Sequence, residues 1–457
     1  MKNLILKNII VAIQLIFLGR INITVSTISQ NNKHTIPSNA QSFESESHFV
    51  IVNEWKYLDF VYPTFVDRQK AIQNGEFIPK NNVPLGIDSH LNRLFITTPR
   101  WKNGVPATLS TISYPSKEIS PALRPYPKWE DHGNPQNPDC SKLISVYRTV
   151  IDKCQRIWVI DSGIVNATIN LKQICPPKIV VYDLNSDKLV LRYNFPKSQV
   201  KEDSLHSNIV VDIGKNCEDA HAIVSDVWRY GLVVYSMLKH RSWRITNYNF
   251  SPNPIASDFT IDGLNFQWLD GIFGISIAPN QSKKDRALYF HPMASFKEFM
   301  VSMNLLLNEP LWQSNTQENA KYFFSIGDRG FNGQSSTSGI SRNGVMFFTQ
   351  VHQNNIGCWN IERPYIRANL GKLVQEDNLI QFPNDIKVDN GVDQNVWIMS
   401  NRLPVFLYSQ LDFGQINFRI LKADINRIIQ NTVCDPINTY NNGSKSAVVS
   451  IEEGQCY

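Results

Sequence analysis

The chain has 457 residues, of which 42% are hydrophobic, 11% aromatic and 19% charged, with 22 Gly, 24 Pro and seven Cys. Disorder requires fewer aromatic and more charged residues, collagen requires periodic Gly, and a disulfide miniprotein is shorter and denser in Cys, so the chain is globular. The 45 basic and 40 acidic side chains give a formal charge of +5, and the length allows anything from one domain to about three, because closed all-β folds exceed the usual domain size as one unit.

The first segment, MKNLILKNIIVAIQLIFLGRINITVSTIS, places Lys2 and Lys7 before an apolar run from Ile9 to Leu18, broken only by Gln14. This is the pattern of a secretory signal peptide, here residues 1–26 with cleavage between Gly19 and Ser26. A membrane span needs about 20 apolar residues, so no membrane association is predicted. Loss of the segment takes three basic residues and no acidic ones, leaving 42 against 40 and a charge near +2. A nearly neutral product gives no basis for a nucleic acid or other polyanion as partner.

Residues 27–48 lack apolar periodicity and read as a flexible lead-in, and residues 436–457 as a C-terminal tail. Between them, residues 49–435 carry short apolar runs punctuated by Gly, Pro, Asn and Asp, and only Ser295 to Asn308 and Ala423 to Gln430 predict helix. Six segments share one pattern: apolar strand, polar turn, second apolar strand, small-residue bend. They start at Pro84, Ser145, Ser207, Asp270, Ser335 and Phe382, with spacings of 61, 62, 63, 65 and 47 residues. Further strand pairs, such as KIVVYDLNSDKLVLRYNFP from Lys178, lie between several of them. Four strands per unit and six units predict an all-β, six-bladed β-propeller. The ring is expected to close through a strand near Phe49 to Leu58 or one near Phe413 to Leu421, completing a blade with the other end of the chain. Polar residues including Thr97, Arg100, Asp161, Asp226, His291, Ser400 and Asn401 are expected at the inner-strand exits, around one mouth of a central channel.

Export predicts disulfides. Among Cys140, Cys154, Cys175, Cys217, Cys358, Cys434 and Cys456, no two have zinc-ligand spacing. Cys140 and Cys175 flank one blade and are expected to pair, Cys456 is the expected odd thiol, and Cys154 and Cys217 lie in strand-like segments where they also read as buried thiols. Sequons at Asn166, Asn249, Asn280 and Asn442 fit export, with Pro252 disfavouring use of Asn249. The chain has no G-x-S-x-G, H-E-x-x-H, P-loop or G-x-G-x-x-G pattern, and its nine His share no metal-ligand spacing, so neither a cofactor nor a metal is implied.

The segments SVYRTVIDKCQRIWVIDSG, DAHAIVSDVWRYGLVVYS, DGIFGISIAP, GVMFFTQVHQNNIGCWN and NDIKVDNGVDQNVWIMSNRLPVFLYSQLDFG resemble those of the yellow and major royal jelly protein family, over about Trp55 to Asp435. The resemblance implies a secreted arthropod protein with a six-bladed propeller. It also implies a choice of activities, since the family includes proteins tied to cuticle pigmentation, dopachrome-converting enzymes, salivary binders of biogenic amines and food-storage glycoproteins. Carried over from the amine binders, the ligand contacts fall on Asn384, Asn401 and Leu403. The third position is commonly aromatic in binders, and Leu403 lacks the cation–π attraction an aromatic face offers an ammonium. A dopachrome tautomerase needs a base for a carbon-bound proton and a donor for the developing oxyanion, for which Asp161, Asp219, Asp385 and His221 are the candidates. The leading expectation is a secreted propeller that binds a small aromatic amine or catechol derivative without turning it over, in cuticle, eggshell or pigment biology. A dopachrome-converting enzyme is the alternative, and a storage glycoprotein the second; the oligomeric state is not readable.

Overall fold

A computed structural model describes residues 48–437, apart from 169, 281–284 and 314–317. The predicted signal segment, nearly all of the lead-in, Asn442, Cys456 and all but the first two residues of the predicted tail lie outside the described residues. Six antiparallel four-stranded sheets form the body. Their first strands are Ile87–His90, Val146–Ile151, His206–Ile213, Ile272–Ile277, Ser338–Ile340 and Pro383–Val388. Each touches the first strand of the next sheet, and the sixth returns to the first, so these strands ring a common axis. The protein is a six-bladed β-propeller, and all six repeat segments supply an inner strand.

Burial follows from the packing of blade on blade. Middle strands are covered on both faces and read as continuous apolar runs rather than alternating ones; Arg156–Asp161 (RIWVID) and Gly231–Ser236 (GLVVYS) are buried throughout. The outer strand Leu189–Asn194 is mostly exposed. β-Branched and aromatic residues dominate the buried strands because they fit a pleated, packed surface.

The ring closes with the N-terminal strand. Val50–Trp55 is the outermost strand of the sixth blade and pairs antiparallel with Phe418–Asp424, Trp55 opposite Phe418 and Val50 opposite Lys422. Thus both ends named in the sequence meet in one sheet. The predicted helix over 295–308 is instead strand Lys297–Ser302 followed by a single helical turn, Met303–Leu306. Its residues gain more by pairing with Ala287–Pro292 and Phe324–Asp328 inside blade four than local helical periodicity supplies. The helix at 423–430 is present as Ile425–Ile429, capped by the Asp424 side chain accepting from Arg427 N–H.

Among the described residues there are three disulfides. Cys140–Cys175 forms as expected, Cys358–Cys434 ties the end of the described chain to blade five, and Cys154–Cys217 joins the lower ends of blades two and three. The reading of Cys154 and Cys217 as buried thiols is therefore corrected: both lie in turns, where strand ends of neighbouring blades approach to 5.9 Å between Cα atoms.

Near the axis the inner strands are stitched together. Arg148 of blade two and Asp385 of blade six form an ion pair at 3.1 Å, both side chains fully buried. Arg148 also donates to Asn384 C=O at 2.5 Å, and its guanidinium lies 4.8 Å from the Phe273 ring of blade four. The other Asp385 oxygen accepts from Ile87 N–H of blade one at 3.0 Å. Asn208 donates to Phe273 C=O, linking blades three and four, and the Ser276 and Ser338 hydroxyls meet at 2.6 Å between blades four and five.

Two stability outcomes follow. Trp55, 1% exposed and donating to Pro121 C=O at 2.9 Å, anchors the closing strand, so Trp55→Ala is expected to cost about 3–5 kcal/mol. The urea midpoint of the whole ring should shift in one transition, and a change confined to a minor early phase would count against closure by this strand. Asp385→Asn is expected to destabilise by about 3–5 kcal/mol because it strands a buried guanidinium, whereas the apolar pair Arg148→Met with Asp385→Leu should recover most of that loss. Guanidinium denaturation of the three proteins compares them.

Candidate functional site

Upper denotes here the end where inner strands begin and second strands finish. The polar residues expected at inner-strand exits end the second strands instead, one layer out from the axis, because each second strand runs back antiparallel to the inner one. Most are taken up in the framework. Thr97 Oγ1 donates to Tyr147 C=O, Arg100 spans the carbonyls of Val105, Pro106 and Ile144, Asp226 pairs with Arg244 at 2.8 Å, and His291 meets Glu298 at 2.9 Å.

The four candidate catalytic groups do not converge, and of them only Asp219 and His221 are neighbours. Asp161 is buried at the upper end of blade two, 2.9 Å from Lys178 Nζ, and accepts from the N–H groups of Ile144, Ser145 and Gly163. Burial opposes its charge, yet the Lys178 ammonium and the backbone donors outweigh that and hold the carboxyl below its usual range. Asp385 is taken up by Arg148 and Ile87. Asp219 lies in the lower hairpin of blade three, where its carboxylate accepts from Lys215 N–H. His221, half-buried two residues later, is held below the usual imidazole range by burial.

The three candidate ligand residues do come together, at the upper end of blade six. Asn384 donates to Leu85 C=O at 2.8 Å and Asn401 to Pro84 C=O at 2.7 Å, so adjacent carbonyls of blade one hold both amides. Asn401 Oδ1 accepts from Leu403 N–H, and Leu403 starts the short helix Leu403–Tyr408 inside the upper apolar cluster. Of the sequons, Asn280 is exposed and Asn166 half-buried, while Asn249 donates to Phe323 C=O at 3.1 Å.

Bulges shape the rest of this end. Register shifts fall between Val146 and Arg148, Ile272 and Gly274, and Pro383 and Asp385, leaving Tyr147, Phe273 and Asn384 as the extra residues and re-aiming their side chains. Tyr147 packs edge-on to Trp101, whose Nε1 donates to the Tyr147 hydroxyl at 2.5 Å. The hairpin Asp258–Ile261 with Leu264–Gln267 and the 403–408 helix add Phe259, Phe266, Phe406 and Tyr408, and Trp268 lies edge-on to Phe382 at 5.8 Å and donates to Tyr408 OH.

Asp270 belongs to this aromatic surround. It begins the fourth repeat segment and is half-buried, as are Trp228, Trp268 and Phe273. Its Oδ1 accepts from Trp228 Nε1 at 3.0 Å. Burial pushes its carboxyl up to about 6, with the Trp228 hydrogen bond acting in the opposite direction. Its charge also raises the Tyr147 hydroxyl further, above a shift due first to burial. Sequence reasoning passed over Asp270, Tyr147 and Trp228. The only signal was position: Asp270 and Tyr147 lie at the starts of repeat segments, where the chain enters an inner strand.

No helix among the described residues is long and apolar enough to cross a membrane. The family model of the major royal jelly proteins matches residues 144–434. Dopaminechrome tautomerase of Drosophila melanogaster is 66% identical over the full length of both chains. Protein yellow of Drosophila erecta is 40% identical over 83% of this chain and 70% of its own. Among solved structures, virginiamycin B lyase from Staphylococcus aureus covers 76% of this chain and 96% of its own at 12% identity and a TM-score of 0.40, a likeness on which nothing further rests. On the family match and these identities, the chain is a member of the major royal jelly protein family.

Proposed function

We propose that this protein is an exported tautomerase of aminochromes, converting dopaminechrome or a close analogue to the dihydroxyindole in pigment chemistry. The observation that carries the reading is the full-length similarity to a dopaminechrome tautomerase; it moves the alternative of the sequence analysis ahead of the non-catalytic amine binder. Export is supported by the apolar N-terminal segment and the three disulfides.

An aminochrome is a flat indoline ring carrying an ortho-quinone. Its conversion to the dihydroxyindole moves two protons, one from each sp³ ring carbon, to the two quinone oxygens, and the two C–H electron pairs flow into the ring system as both rings become aromatic; the first C–H proton is the one that needs a base. No electron acceptor or co-reactant is needed. The half-buried faces of Trp228, Trp268 and Phe273 suit a flat bicyclic ring. Asp270 is the proposed base: Oδ1 is held by Trp228, leaving Oδ2 for the proton, and a carboxyl near 6 is largely ionised at neutral pH while remaining basic enough to accept it. Tyr147, buried and accepting from Trp101, keeps its O–H as a donor and is the proposed partner of the oxyanion. Asn384, Asn401 and Leu403 border the same end and are proposed to limit the ring's depth.

Asp270→Asn is expected to lower kcat on dopaminechrome by about 10²–10⁴-fold over the spontaneous reaction, and Tyr147→Phe by roughly a hundredfold, read as loss of aminochrome absorbance. Wild-type turnover by Asp270→Asn would remove this base from the site; stoichiometric binding by the wild-type protein without turnover would restore the binder. Because the base acts ionised, kcat/KM should fall as pH drops through about 6 and be flat above it, and a profile without that limb would exclude Asp270.

A further inference from the structure

The lower end of the channel holds a cavity of about 820 Å³, inside the range of roughly 300–1,000 Å³ typical of small-molecule sites. It is lined by residues of all six blades, and Asp270, Tyr147, Arg148 and Asp385 are not among them. Its charged lining comprises Lys153, Arg286, Arg342, Lys387 and Lys422 against Asp152, Asp212 and Asp389.

All three carboxylates are already engaged. Asp152 pairs with Arg156 at 2.8 Å and accepts from Trp158, Asp212 pairs with Arg286 at 2.7 Å, and Asp389 accepts from Trp397 and Asn395. The lysines are engaged less. Lys387, half-buried, makes one hydrogen bond among the described residues, to Thr149 C=O at 2.8 Å, and no ion pair, although the buried Asp88 carboxylate, which accepts from Thr149 Oγ1, lies within electrostatic reach of it. An ammonium carries three donors. Lys153 is exposed and, among the described residues, reaches only Ile213 C=O, at 3.4 Å. Between these cations the walls are apolar strand ends, among them Val150, Ile213, Ile275, Ile277 and Ile340.

We infer that the lower mouth is a second binding site, separate from the aminochrome site, for a small amphipathic organic anion: a carboxylate facing Lys387 and a flat or branched apolar body against the Ile and Val strand ends. Charge-assisted hydrogen bonds to a lysine with open donors give the recognition of the anion, and the strand ends remove its hydrocarbon from water. A cation would meet Lys387 and Lys153, neither in an ion pair among the described residues, and lining carboxylates that are all engaged.

Calorimetric titration of the intact, disulfide-bonded protein with trans-cinnamate and with its neutral isostere trans-cinnamamide tests the site. Cinnamate should bind at least roughly tenfold more tightly than the amide. Lys387→Met should abolish that preference and leave dopaminechrome turnover at the wild-type rate. Equal affinity for the two probes, no binding of either, or an unchanged preference in Lys387→Met would overturn the inference. The wild-type comparison needs no variant, and Lys153→Met, at an exposed position, supplies a second one that should weaken cinnamate and leave the amide unchanged.

Discussion

A buried ion pair lies at the centre of this propeller. Arg148 and Asp385 come from blades two and six, yet they meet at 3.1 Å with no exposure to solvent. Desolvating two charges is costly, and removing either partner would leave the other charge buried and unpaired. Here Asn384 C=O and the Phe273 ring take the guanidinium, and Ile87 N–H takes the second carboxylate oxygen. Residues from four blades are thereby held in one register about the axis. Outside that centre the ring is held mainly by apolar packing between blades and by the closing strand Val50–Trp55.

The same inner strands give the channel two chemically different ends. Above the ion pair, bulges turn Tyr147, Phe273 and Asn384 out of the regular ladder, and the surrounding loops bring in tryptophan and phenylalanine rings together with the Asp270 carboxyl. Below it, the strand ends carry Ile and Val interspersed with Lys387, Arg286 and Lys153. An acid among aromatic faces and a set of lysines among aliphatic ones are chemically unlike surroundings for a ligand. One scaffold holds both because a propeller presents the two ends of every inner strand to separate mouths.

The fold was legible because each blade repeats one pattern and must bury both faces of its middle strands, which leaves continuous apolar runs such as RIWVID and GLVVYS in the chain. Ser295 to Asn308 misled because its local periodicity suits a helix, but Lys297–Ser302 has strand partners on both sides, Ala287–Pro292 just before it and Phe324–Asp328 across a longer connection. The site was legible in part. Asn384, Asn401 and Leu403 follow one another closely enough that their convergence on Pro84 and Leu85 needs only blades six and one to adjoin. Asp161, Asp219, Asp385 and His221 were chosen by residue type, and residue type does not tell a carboxylate fixed by Lys178 or Arg148 from one left half-exposed among aromatic rings.

The amino-acid sequence alone therefore determined the architecture, the number of blades, the expected Cys140–Cys175 bridge and the family resemblance, since all of these rest on local pattern and repetition. Tertiary structure alone decided the Cys154–Cys217 bridge, the pairing of Arg148 with Asp385, and the environment that raises the Asp270 carboxyl to about 6. Each of those depends on which side chains from distant blades surround a group and exclude water from it. Desolvation and the sign of the nearest charge are set by neighbours in space, and the order of residues along the chain does not contain them until the ring has closed.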